Sequence, residues 1–151
     1  MSTFLERLTQ EGEAFADSIS GLAAQVKNVD FKDALLAICA LVAAADGEIQ
    51  KEEREAAANV IRKNAALKNY PPAALAQQFT LLCRDALDSV SKLDVELLVG
   101  KLRGKADQAD LAVKLAIIIA QSKGGVLVEV EKKVLRQIVK KLSLDATDYG
   151  L

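Results

Sequence analysis

The chain states one pattern twice. Residues 34–61 read ALLAICALVAAADGEIQKEEREAAANVI, and residues 111–139 read LAVKLAIIIAQSKGGVLVEVEKKVLRQIV. Each is an apolar run of helical character, then a Gly-containing turn, then a charged amphipathic helix. Self-similarity on this scale sets an architecture before any single residue does. A lone helical hairpin cannot bury its own apolar faces, so two of them predict a shared core in which the apolar helices pack together. The fold class that follows is all-α. We read a single-domain bundle of about seven helices over residues 1–151, with pseudo-equivalent helix–turn–helix repeats at about 31–66 and 108–142.

At 151 residues the chain can bury a core without disulfide or metal staples. Ala and unbranched side chains, which lose least on helix formation, dominate a sequence with two prolines and no tryptophan. A first helix reads from Phe4 to about Lys27, and Asp30 is placed to cap the second, about 31–45. The third runs from about Lys51 to Ala66. The fourth starts at Tyr70-Pro71-Pro72, where prolines remove only N–H groups that lack intrahelical partners. The fifth spans about Asp94 to Lys105. With Asp107 as its cap, the sixth spans about 108–122; the seventh spans about 129–142, and 143–151 read as a tail. Val126–Val130 alternates like a strand but is too short to outweigh its helical surroundings.

Composition removes several function classes. The longest uncharged apolar stretch, Ala34–Ala45, has 12 residues, whereas a bilayer span needs ~20. The amino-terminal MSTFLERLTQEGEAF has acids where a signal peptide needs a basic start and an apolar block, so a cytoplasmic location is expected. Cys39 and Cys83 are the only cysteines and histidine is absent. Zinc fingers, haem ligation and Ser–His or Cys–His nucleophiles lose their usual parts. Net charge is −1, and neither half is basic enough to argue for nucleic acid. Gly124-Gly125 precedes a helix, but no Lys-Ser/Thr follows and no strand precedes it, so no nucleotide loop is read. Nothing in the spacing selects a catalytic pair, a small-molecule substrate or an enzyme.

What remains is the first turn, Asp46-Gly47-Glu48-Ile49-Gln50-Lys51-Glu52-Glu53. A tight connection at Gly47 brings two helix ends close, so Asp46, Glu48, Glu52 and Glu53 are candidates to converge. Hard cations of the Ca²⁺ and Mg²⁺ class take several oxygen ligands of this kind, and the turn lacks the Cys or His that softer metals prefer. The spacing is not that of an EF-hand loop. The same acids also suit the first turn of a helix, where the macrodipole favours them, and Ile49 with Glu53 fits a staple-and-capping pattern. On the residues alone both readings stay open.

The apolar helix ending Ala-Ala-Asp-Gly-Glu-Ile and followed by Glu-Glu-Arg resembles the signature of the tellurite-resistance TerB family. So do the second helix–turn–helix around Gln121-Ser122-Lys123-Gly124 and the closing stretch from Leu142 to Leu151. The resemblance covers about residue 20 to the end. It implies an all-helical cytoplasmic module of bacterial stress systems, with acidic turns that bind metal ions and no catalytic chemistry. It also implies partners among other stress-resistance proteins, one an integral-membrane protein. By position, Asp46, Glu48, Glu52 and Glu53 match the family's first acidic turn. The second turn departs, because Lys123-Gly124-Gly125 replaces an Asp-Gly pattern and only Glu129 and Glu131 remain as metal-ligand candidates. Lys123 is placed to pair with the acids of the first turn in a cation's stead. The alternative to cation binding is a metal-independent interaction scaffold. Its surfaces would be the acidic turn and the basic face of Lys132, Lys133, Arg136, Lys140 and Lys141, with Lys101, Arg103 and Lys105 as a second cluster. A solvated face is the ordinary explanation of both basic clusters. Docking at the inner-membrane surface is the other use, at only ~1 kcal/mol per cation.

Overall fold

A computed structural model describes residues 2–122 and 126–151. Among these residues there are eight α-helices and no strand. They are α1 (Phe4–Glu11), α2 (Glu13–Ala23), α3 (Val29–Ala43), α4 (Lys51–Lys63), α5 (Pro72–Leu87), α6 (Lys92–Gly100), α7 (Ala106–Gln121) and α8 (Glu129–Lys141), with short 3₁₀ turns at Ala65–Leu67 and Ala146–Tyr149.

Helix α3 is apolar around its whole circumference, and such a helix is stable only when covered on every side. Each residue from Ala34 to Val42 is buried, and α5, α6, α7 and α8 all pack on it. The most extensive of these contacts is with α7, as expected for the two apolar helices. Ala37 and Ala40 on α3, with Ala109, Ala112 and Ala116 on α7, are completely or almost completely buried. Phe31, Leu35, Leu36 and Ile38 each gain about 1.5–3 kcal/mol from full burial. The amphipathic helices sit outside this pair. Helix α4 lies against α5 and α7, and α8 lies against α3, so each short helix covers the apolar helix of the other segment.

Three local departures from the sequence reading have physical causes. The helix expected over 4–27 is two helices, because Gly12 takes φ 67°, ψ −146° and turns the chain between them. Only glycine enters that region without strain. Its N–H still caps α1 by donating to the Leu8 carbonyl at 3.0 Å. The reversal brings the Phe15 ring to 5.7 Å from Phe4, with the Arg7 guanidinium over Phe15 at 4.2 Å.

The second departure is in capping. Asn28, not Asp30, caps α3, its Oδ1 accepting from the Phe31 N–H at 2.8 Å. Asp30 lies in the first turn of α3 and faces Lys101 at 3.8 Å and Lys105 at 3.7 Å. Asp107 likewise lies inside α7 and not ahead of it. Third, the expected tail is docked. Asp145 folds it by accepting from the N–H and hydroxyl of Thr147 at 3.0 and 2.7 Å. Tyr149 then enters the core at 2% exposure and donates its hydroxyl proton to Asp110. Among the described residues, no helix is long and apolar enough to cross a membrane.

Candidate functional site

Helix α3 ends where its apolar run ends. The Gly47 N–H closes a turn on the Ala44 carbonyl at 2.9 Å, with Gly47 at φ 92°, a left-handed conformation that suits glycine. Asp46 then stabilises the turn itself: its Oδ1 accepts from the Glu48 N–H at 3.2 Å, the side-chain turn that Asp forms readily. The Gln50 amide donates to Glu48 Oε1 at 3.1 Å. Ile49 is half-buried and packs on the core, anchoring the connection. Glu52 and Glu53 occupy the first turn of α4, where the helix dipole favours them.

All four acids of this turn are exposed. Ile49 packs on the core, but the position a staple would pair it with is Arg54; the capping half is absent too, because Gln50 at the N-cap makes no side-chain cap hydrogen bond. The reach-back expected of Glu53 occurs instead in the second segment, where Glu131 Oε1 accepts from the Val128 N–H at 3.0 Å. Glu129 is exposed and pairs with Arg136. The hydrogen bond from Arg136 and then its charge hold the Glu129 carboxyl below the usual carboxylate range.

Asp46, Glu48, Glu52 and Glu53 thus share one connection, whereas Glu129 and Glu131 serve α8. Among the described residues, no three Asp, Glu or Cys side chains form a group able to hold a metal ion. A Ca²⁺ ion takes six to eight oxygens, so the side chains as they stand do not fit a pre-formed site. Lys123, expected to replace the cation, lies outside the described residues. Two of the five cations of the basic face expected on α8 are engaged: Arg136 with Glu129, and Lys141 Nζ with the Glu96 carbonyl of α6 at 3.1 Å.

The sequence reading missed a polar seam at the far end of α3. Asn28 donates to Gln108 Oε1 at 3.0 Å, Lys32 to Gln78 Oε1 at 2.8 Å, and Gln78 to Asp33 Oδ1 at 2.8 Å. Lys32 and Asp33 pair at 2.7 Å, and Lys32 lies over the Tyr70 ring at 5.4 Å. Burial pushes the Asp33 carboxyl up, but the hydrogen bonds from Lys32 and Gln78 and the charges of Lys32 and Lys101 outweigh it. The group sits below the usual carboxylate range. Nothing local in the sequence signals this seam, since its members come from α3, α5, α7 and the connections before them.

Two grooves flank the acidic turn. One, about 100 Å³, lies between α6 and α8 over the end of α3, with Leu41, Val99 and Ile138 below and Lys92 and Lys141 at the rim. The other, about 300 Å³, lies over the α4–α5 seam beside Ile49.

No curated protein and no solved structure matches the chain. A family profile does: the one described as tellurite resistance protein TerB matches residues 32–151, from the start of α3 through both turns to the docked carboxyl terminus. The match takes in the acidic turn, both apolar helices and Tyr149, and with it the chain belongs to the TerB family.

Proposed function

We propose that this TerB-family chain is a non-enzymatic, metal-independent interaction module of a bacterial stress response, acting in the cytoplasm or at the inner face of the membrane through other resistance proteins. The observation that carries the reading is the state of the acidic turn. Asp46 and Glu48 are hydrogen-bonded within the connection, Asp46 to the Glu48 N–H and Glu48 to the Gln50 amide. The turn is therefore a built surface feature next to two grooves, as an association site requires.

A second reading keeps the divalent cation. Glu52 and Glu53 make no side-chain hydrogen bond or ion pair among the described residues, and they belong to the same connection as Asp46 and Glu48. A cation would have to gather the four carboxylates as it bound.

The test is co-purification of the tagged full chain from its host in buffer containing EDTA. Reproducible retention of defined proteins in EDTA is expected. Retention only when divalent cation is restored would replace the first reading with the second, and no retained protein in either buffer would refute both.

A further inference from the structure

Helices α4 and α5 pack closely, and the groove over their seam is lined by Ile49, Arg54, Leu81, Cys83, Arg84 and Leu87, with Thr80 at its edge. Its character is set by two facts. Leu81 and Leu87 are 45% and 42% exposed, on the side of α5 away from its buried residues Leu75, Phe79, Leu82, Cys83 and Ala86. Every charged side chain in the lining is a guanidinium. Arg54 makes no ion pair among the described residues. Arg84 has only its neighbour Asp85, at 3.7 Å with the arginine 75% exposed, a contact that contributes little.

We propose that this groove docks an amphipathic helical segment of a partner protein, one carrying carboxylates beside its apolar side chains. The proposal rests on the association reading above and names the partner's chemistry. The guanidinium fork matches a carboxylate with two parallel hydrogen bonds, which an ammonium cannot do, so two arginines among apolar lining residues select acidic groups at fixed positions. Leu81, Arg84 and Leu87 follow one another at three-residue steps on α5, over about 9 Å of its axis, with the guanidinium between the two leucines. A helix laid in a groove presents apolar side chains at i, i+3, i+4 and i+7, which suits this lining. Further exposed apolar side chains follow along the chain. Val90, in the connection that follows, and Leu93 and Leu97 on α6 are exposed, and α6 packs on α5.

The experiment selects ligands from a random peptide library displayed on phage, using the immobilised full chain. Arg54→Glu/Arg84→Glu and Leu81→Ser/Leu87→Ser proteins serve as counter-baits. Selected sequences are expected to combine Asp or Glu with apolar residues at helical spacing. The corresponding synthetic peptides should bind each double variant at least about tenfold more weakly than wild type. If a double variant loses helicity, the single Arg54→Ala and Arg84→Ala proteins take its place, each side chain being on the surface. No enrichment, basic selected sequences, or equal binding to the variants overturns the proposal. So does binding of phosphatidylglycerol vesicles with no peptide selected. If the charge-reversed protein still retains its host proteins in EDTA, the groove assignment fails while the association reading stands. If wild type retains none, the association reading itself has failed.

Discussion

The docked carboxyl terminus offers the sharpest quantitative prediction. Tyr149 is 2% exposed, its ring meets Phe4 edge-on at 6.4 Å, and its hydroxyl donates to Asp110, which also holds Lys114 at 2.8 Å. Tyr149→Ala removes a buried aromatic side chain and should lower stability by about 3–5 kcal/mol, the range for large-to-small core substitutions of this kind. For a chain of this length that is roughly 6–20 °C in melting temperature. Tyr149→Phe keeps the packing and loses one hydrogen bond to a charged acceptor. Because Asp110 retains Lys114 and is partly solvated, the loss should fall at the lower end, about 1–1.5 kcal/mol. Burial first, and then the hydrogen bond and charge of Asp110, push the Tyr149 phenol above its ordinary value. The protonated form is thus favoured in the fold, so its contribution is complete below about pH 10 and falls as pH rises past that point. Urea unfolding of the three proteins from neutral pH to pH ~10.5 measures both effects. A Tyr149→Ala cost below about 1 kcal/mol, with Tyr149→Phe matching wild type at every pH, would refute the reasoning.

Gly12→Ala should destabilise by about 1–2 kcal/mol in thermal unfolding, although open space surrounds the position, because φ 67° is strained for any side chain. Asp33 sits below the carboxylate range when folded, so its contribution is present above about pH 4 and lost as pH falls through the folded value. Asp33→Asn should flatten the acid limb of a stability–pH profile, and an unchanged limb would count against the seam. Glu131→Ala should cost about 0.5–1 kcal/mol by freeing the Val128 N–H, read as reduced protection of that amide in hydrogen exchange.

The central helix pair was legible because an all-round apolar helix of α3's length has only one stable environment, and the duplicated pattern supplied its partner. The N-caps lie two residues earlier than the sequence suggests: Asn28 and Asp30 are both good caps, and the fold uses Asn28 and leaves Asp30 facing Lys101 and Lys105. The break at Gly12 was hidden inside a run of helix formers, where a lone glycine is tolerated often enough that it does not by itself mark a boundary. The tail was unreadable for a different reason. Tyr149 finds its burial against α1 and α7, far away in sequence, and no local pattern announces that contact. At the acidic turn the residue types were right for two jobs. In the fold Asp46 accepts from the Glu48 N–H, and the reach-back is made by Glu131 of the second segment.

Thermal unfolding of the full chain in EDTA and in excess Ca²⁺, Mg²⁺, Mn²⁺ or Zn²⁺, alongside Asp46→Asn/Glu53→Gln, tests metal independence most directly. An ion present at a hundred times its dissociation constant would add about 2.7 kcal/mol to the folded state, or roughly 5–11 °C. Metal independence predicts the same melting temperature for wild type in all five conditions. A rise of that size with any one ion, abolished in the double variant, would contradict it.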